Sequence, residues 1–277
     1  MEVTVYEVGP RDGLQYLDDI VPTREKVKLI EMLYDSGLTK IEEVSFAHPK
    51  LLPQMADAEA VFTGVGAGRV MNQRGFERAD SCGVVLINVV ISPCEVFNVK
   101  NTGKTRSELM TMYKTMLANH PKKFVRVYIS MAFGSPYSGQ FTAREIRNCV
   151  RDARMLGSTV VFADTVGAGT PDEVKMMADI AKNEGMHPAL HLHHKGEDEK
   201  AIRLVRAGLM AGITEFDSSI AGLGGCPFAD GSGANLSTST LVRHLHAWGF
   251  ETGVDEQKLI TAEKFVNYFS RDSIPTP

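Results

Sequence analysis

The chain has 277 residues, 43% of them apolar and 23% charged, with a formal net charge of −4. That length suits one α/β barrel of roughly 250 residues, and the acidic balance argues against a protein that coats nucleic acid or another polyanion. No apolar run approaches the roughly 20 residues of a membrane-spanning helix, and the cysteines Cys82, Cys94, Cys149 and Cys226, without CxxC spacing, read as reduced intracellular thiols.

In chain order, the first apolar run is Val3 to Tyr6, which leaves no room for a signal or transit peptide, so a cytoplasmic protein with no membrane partner is expected. The run ends in EVGPRDGLQ, residues 7–15, where Gly9 and Pro10 turn the chain and Arg11 and Asp12 place a fixed cation beside a hard anionic ligand. A helix after Pro22-Thr23 carries Val27, Ile30, Leu33 and Tyr34 on one face and stops at Gly37. Lys40 to Phe46 reads as the second strand, with Glu42 and Glu43 inside it, and a helix is predicted over Pro53 to Phe62. Gly68 to Gln73 is a weak third strand that ends near Asn72, followed by a helix from Arg74 to Cys82. Val84 to Ile91 is an unbroken apolar strand of the kind buried on both faces of a parallel sheet. Two helices follow, near Glu95–Asn101 and Ser107–Asn119.

Phe124 to Ala132 is the fifth strand, and its loop leads into a helix capped by Thr142 and Glu145. Thr159 to Ala163 is the sixth and ends in Asp164. The next helix is capped by Thr170 and Glu173, with Pro171 in its first turn and Gly185 at its stop. Ala189 to His193 is the seventh strand, and Ile213 to Ser218 a short eighth. A glycine-rich loop, 221–234, leads to helices near Ser237–Trp248 and Glu256–Tyr268. Eight strand-then-helix units without a composition break predict a closed (β/α)8 barrel spanning residues 1–277 as a single domain, with the last helix as a small C-terminal addition. A doubly wound open sheet is the alternative, but residues 9–13 do not match the GxGxxG of that fold.

In a barrel the C-terminal strand ends form one face, so Arg11, Asp12, Glu42, Asn72, Asp164, His191, His193, Cys226 and Asn235 would converge on one mouth. His191 and His193 stand two apart in a strand and so face one interior point, whereas His194 points the other way. Two imidazoles with a carboxylate and an amide oxygen suit Mg2+ or Mn2+ with open positions better than structural zinc. A pair of hydrogen-bonded core histidines is the alternative reading of the HxH alone. Cys226, in the flexible Gly222-Leu223-Gly224-Gly225-Cys226-Pro227 segment, is the cysteine placed for proton transfer, and a small buried apolar residue is the alternative.

These motifs together resemble the 3-hydroxy-3-methylglutaryl-coenzyme A lyases, metal-dependent acyl-CoA lyases built on a TIM barrel. The resemblance runs from about residue 3 to 260. It is carried by EVGPRDGLQ, by the segments around Glu42 and Phe46, by Asp164-Thr165-Val166-Gly167, by the HxH and, most specifically, by AGLGGCP at 221–227. It implies that Asp12, His191, His193 and Asn235 hold a divalent cation and that Arg11 stabilises an enolate oxygen. It implies that Cys226 is the loop acid or base, that Glu42 orients Arg11, and that Asp164 and Gln15 contact substrate or support proton transfer. It implies an acyl-CoA substrate cleaved to acetyl-CoA and a keto acid, in a homodimer. The chain departs from the family at Asp18, where a lysine is usual, at His194-Lys195 after the HxH, and at Ser135, where cysteine is common. These changes open a citramalyl-type or other 3-hydroxyacyl-CoA as substrate. A Claisen-type synthase sharing the metal ligands, and a retired barrel serving as a scaffold, are the competing functions.

Overall fold

The computed structural model describes residues 1–196, 198–225 and 233–270. Its order is β1 (Thr4–Glu7), α1 (Thr23–Asp35), β2 (Lys40–Ser45), α2 (Ala58–Val61), β3 (Ala67–Arg69), α3 (Gln73–Ser81), β4 (Leu86–Ile91), α4 (Glu95–Thr102) and α5 (Arg106–Leu117). There follow β5 (Phe124–Ile129), α6 (Ala143–Arg154), β6 (Thr159–Asp164), α7 (Pro171–Asn183), β7 (His187–His194), α8 (Glu199–Met210), β8 (Glu215–Ser218), β9 (Ala234–Asn235), α9 (Thr238–Ala247) and α10 (Glu256–Ser270). Strands β1 to β8 pair in parallel with their sequence neighbours, and β1 with β8 closes the ring. The open sheet is thereby excluded, and the fold is a (β/α)8 barrel.

Alternation along the strands divides the buried residues into two layers. Ile87, Val89 and Ile91 of β4, Val125, Val127 and Ile129 of β5, and Val160 and Phe162 of β6 join the main core beneath the helices. The opposite face of the same strands looks into the barrel. There Val90, Tyr128, Val161 and Ala189 form a small apolar cluster. The rest of that interior is polar: Glu42, Arg69, Asn88, Arg126, His191 and Asp217 are all buried. Strands β4 and β5 look apolar in sequence because the outward layer dominates them.

The capping boxes at Thr142–Glu145 and Thr170–Glu173 form as expected. Two elements differ from expectation. The helix over Pro53 to Phe62 breaks into a 3-10 turn, Pro53–Met55, and the short α2. Side chains of that segment are tied elsewhere: Gln54 accepts from the Val21 amide, and Asp57 takes Lys26 Nζ at 2.8 Å and Thr23 Oγ1 at 2.7 Å. The second difference is β9, absent from the sequence reading. It pairs antiparallel to the end of β7, with His193 opposite Asn235. Strand β7 outruns β6, whose last partner pair is Asp164 with Leu192, and β9 covers the overhang.

Candidate active site at the barrel mouth

Residues 9–13 form one tight buried turn of π-helical type directly after β1, with the Asp12 amide donating to the Val8 carbonyl at 2.6 Å. A side chain at Gly9 would meet Glu7 and Ile220, so the turn can lie this close to the segment after β8 only without a Cβ. Its result is a fixed placement of Arg11 and Asp12 at the mouth. Arg11 Nε donates to Glu42 Oε2 at 2.6 Å, and its Nη1 pairs with Asp12. Gln15 Nε2 donates to Asp12 Oδ1 at 2.9 Å. Burial opposes the charge on Asp12, but Arg11 and then His191 outweigh it and hold the carboxyl well below its ordinary range. Glu42 is likewise held down, against its burial, by Arg11 and Arg69.

The two histidines are both held through Nδ1. His191 Nδ1 lies 3.1 Å from Asp217 Oδ2, and His193 Nδ1 lies 3.1 Å from the Thr165 carbonyl. A carboxylate and a carbonyl only accept, so both Nδ1 atoms carry hydrogens, and the Nε2 of neutral His193 presents a lone pair. The two Nε2 atoms face each other at 3.0 Å. Asp12 Oδ2 lies 4.0 Å from His191 Nε2. Burial, with His191 as the next cause, pushes the His193 pKa down to about 3, so it is neutral as a ligand must be.

Asp12, His191 and His193 thus converge as a group able to hold a cation. The 3.0 Å between the two Nε2 atoms fits adjacent ligands around an ion with bonds of roughly 2.1 Å. The donor set fits a hard divalent cation. Asn235 stands beside the triad, brought by β9, and its Nδ2 donates to Asp12 Oδ2 and to the Leu223 carbonyl, both at 2.9 Å.

The expected residues do not all meet. Asp164 lies at the end of β6, but its two oxygens accept from the Ala168 and Gly169 amides at 2.8 Å. Its carboxylate closes its own loop, and burial raises its pKa. Cys226 lies outside the described residues. Asn72 caps α3, accepting from the Gly75 amide, and sits on the cavity wall. His194, expected to point away from the pair, meets Asp198 at 2.7 Å and the Asn235 carbonyl at 3.2 Å.

The sequence reading missed a second tier of residues inside the barrel. Arg126 donates through Nη2 to Asp217 Oδ1 at 2.6 Å and stacks 3.9 Å over the Tyr6 ring. Tyr128 Oη donates to Asp217 Oδ2 at 2.8 Å. The Asp217 pKa is held down to about 2, because Arg126 and then His191 outweigh its burial. Arg69 Nε and Asn88 Nδ2 each donate to Glu42 Oε1 at 2.8 Å. The signal lay in the inward positions 126, 128 and 217 of apolar strands, where a charge is exceptional.

Above the triad opens a cavity of about 740 Å³, from Arg11, Asp12, His191 and His193 at the floor to Lys100 and Gly103 at the rim. Such a volume suits a ligand of cofactor size.

Residues 2–266 match the family model described as HMGL-like. The chain belongs to the HMG-CoA lyase family. The mitochondrial hydroxymethylglutaryl-CoA lyase of Mus musculus is 36% identical over 275 residues, 96% of this chain and 85% of that protein. The cytoplasmic 3-hydroxy-3-methylglutaryl-CoA lyase of the same organism is 35% identical over 95% of this chain and 80% of its own length. The crystal structure of the HMG-CoA lyase from Brucella melitensis superposes with a TM-score of 0.90 at 34% identity, covering 98% of this chain and 99% of that one. An HMG-CoA lyase from Acinetobacter baumannii superposes with a TM-score of 0.90 at 28% identity, covering 100% and 98%. The chain is accordingly a lyase. No helix among the described residues is long and apolar enough to cross a membrane.

Proposed function

We propose that the protein is a divalent-metal-dependent lyase that splits 3-hydroxy-3-methylglutaryl-CoA into acetyl-CoA and acetoacetate. The observation that carries this reading is the pair of Nε2 atoms facing each other beside Asp12, with Arg11 locked alongside by Glu42. Asp12, His191, His193 and Asn235 are the residues that would hold Mg2+ or Mn2+. Such a cation supplies Lewis acidity towards the substrate's tertiary hydroxyl.

In the reaction Cys226, as a thiolate, takes the proton of the C3 hydroxyl, C3 becomes the ketone of acetoacetate, and the C2–C3 bond breaks. Its electron pair passes to C2 and the thioester oxygen as an enolate. The Arg11 guanidinium takes up that negative charge, and its rigid hold on Glu42 means little reorganisation is needed. Cys226 returns a proton to C2 and completes acetyl-CoA. Gln15 steadies Asp12 and the substrate, and Asp164 shapes the 164–169 loop that carries the Thr165 carbonyl under His193. The acyl-CoA assignment draws support from the Acinetobacter baumannii structure, solved with coenzyme A and 3-methylmalate. A citramalyl-type substrate is the runner-up. We read residues 1–277 as one domain, acting as a cytoplasmic homodimer.

The test is incubation with hydroxymethylglutaryl-CoA and Mn2+, with acetyl-CoA and acetoacetate followed by mass spectrometry and Cys226→Ala run alongside. Turnover in the wild type and a loss of at least ~100-fold in the variant are expected. Absence of cleavage of any 3-hydroxyacyl-CoA in a broad panel would overturn the reading.

A further inference from the structure

Among the described residues three arginines lie buried inside the barrel, and they are not equivalent. Arg126 is fully engaged: Nε meets Glu215, Nη1 meets Tyr128 Oη, and Nη2 meets Asp217. Arg11 divides its guanidinium between Glu42 and Asp12. Arg69, the last residue of β3, spends Nε at 2.8 Å and Nη2 at 3.4 Å on Glu42. Its Nη1 has no hydrogen-bond partner among the described residues. It is 7% exposed, and the surface it shows lines the cavity.

A buried guanidinium with an open fork is costly unless something answers it. Glu42 cannot do so alone. Its oxygens already receive Arg11, Arg69 and Asn88, so one negative charge serves two positive ones. Asp12 takes the other side of Arg11, so the fork left open on the β2–β3 side of the floor is that of Arg69.

The position is close to the reacting centre. Arg69 stacks 4.1 Å above the Tyr128 ring, and the edge of the same ring system meets His191 at 5.9 Å between centroids. Arg69 and the triad are therefore separated by about one aromatic ring. That span suits a short acyl group with one end at the triad and the other at Arg69. The CoA arm has its own way out, past Lys100 and Gly103 at the rim.

We propose that Arg69 is the residue that selects the acyl group, its free Nη1 binding the carboxylate at the end of the substrate remote from the thioester. This rests on the lyase reading, and it deepens that reading by naming what makes the keto-acid half recognisable. The keto acid is then the deep fragment, and uncharged 3-hydroxyacyl groups of similar size are poor substrates. Tyr128 supports the site by covering one face of the guanidinium.

The test separates this inference from the lyase assignment. The Mn2+-loaded wild type, Arg69→Met and Arg69→Lys are titrated with acetoacetate and with the neutral acetoacetamide, using ligand-observed NMR for Kd. A charge-assisted hydrogen bond predicts a preference for acetoacetate of at least ~10-fold in the wild type. Arg69→Met should abolish the preference, leaving acetoacetamide binding unchanged, and Arg69→Lys should retain part of it. With hydroxymethylglutaryl-CoA, Arg69→Met should raise KM by at least ~10-fold and lower kcat far less. A preference that survives in Arg69→Met, or an equal loss for both probes, overturns the inference while cleavage by the wild type leaves the lyase intact. If no acyl-CoA is cleaved but the acetoacetate preference depends on Arg69, the lyase reading fails and the anchor stands. Should Arg69→Met not fold, Arg69→Lys decides: a selective weakening towards acetoacetate supports the anchor, and wild-type binding of both probes removes it.

Discussion

Asp217 shows how much of the site's geometry is set from below. It accepts from His191, Tyr128 and Arg126, so one carboxylate fixes a ring orientation, a tautomer and a buried guanidinium. Carboxylates behind ligating histidines typically contribute 10–100-fold in metal affinity. Asp217→Asn keeps the shape and loses the charge. It is expected to weaken Mn2+ binding by about that factor in calorimetry, with circular dichroism unchanged. Glu7 makes a different residue-scale argument. It is buried and accepts from the Gly9 and Ile220 amides and Thr238 Oγ1, tying the Arg-Asp turn to the loop after β8. Burial pushes its pKa up from 4.5 to about 7. A carboxyl raised in the folded state is protonated in both states below pH 4.5, so it is harmless there. Its cost grows as pH rises from 4.5 to 7 and is constant above, at most about 3 kcal/mol. Glu7→Gln should therefore gain stability relative to wild type across that window and show no further gain from pH 7 to 9, as read by urea unfolding. A constant difference from pH 4 to 9 would show that ionisation of Glu7 is not the cause.

At the scale of elements, the loop after β8 is held against the Arg-Asp turn by absences of side chain. Gly224 has φ of +107°, and a Cβ there would lie 2.5 Å from Asn235 Nδ2 and 2.9 Å from the Asp12 carbonyl. Gly224→Ala should push two proposed ligands apart while leaving the barrel strands intact. The expected result is a loss of Mn2+ affinity of at least ~10-fold with only a few degrees lost in Tm. Equal affinity would show that the loop can retreat. The elements were largely legible in sequence because parallel strands and their helices carry strong patterns: β4 and β5 as apolar runs, α6 and α7 through their capping boxes. Residue placement was legible where chemistry ends a strand, as at Asp12, His191 and His193. It was not legible where a polar residue sits inside a strand, as at Asn88 and Arg126, or where the strand stops sooner than its pattern suggests, as at Arg69. Those side chains are stable inside the barrel only through partners on strands far away in sequence, 27 to 91 residues distant. Strand β9 was hidden for a similar reason: two residues gain strand geometry only from the overhang of β7. Asp164 was placed at the right strand end, but local amides claim its oxygens, which no pattern of residue types distinguishes from a carboxylate facing the cavity.

For the whole molecule, the site is a place where stability and ligand binding meet. Neutral His193 is required by burial, with a pKa lowered from 6.5 to about 3. An imidazole depressed in the folded state favours folding fully above pH 6.5 and loses that contribution as pH falls towards 3. Within the same fold Glu7 acts in the opposite direction between pH 4.5 and 7, so the two partly cancel in weak acid. A divalent cation held by Asp12, His191, His193 and Asn235 would join the ends of β1, β7 and β9. Binding of the folded state alone stabilises by RT ln(1 + [L]/Kd), about 2.7 kcal/mol at a hundredfold excess over Kd. In a chain of this size that corresponds to a rise in Tm of roughly 5–10 °C. Mn2+ at that excess should produce the rise in differential scanning calorimetry, EDTA should reverse it, and Asp12→Ala should abolish it.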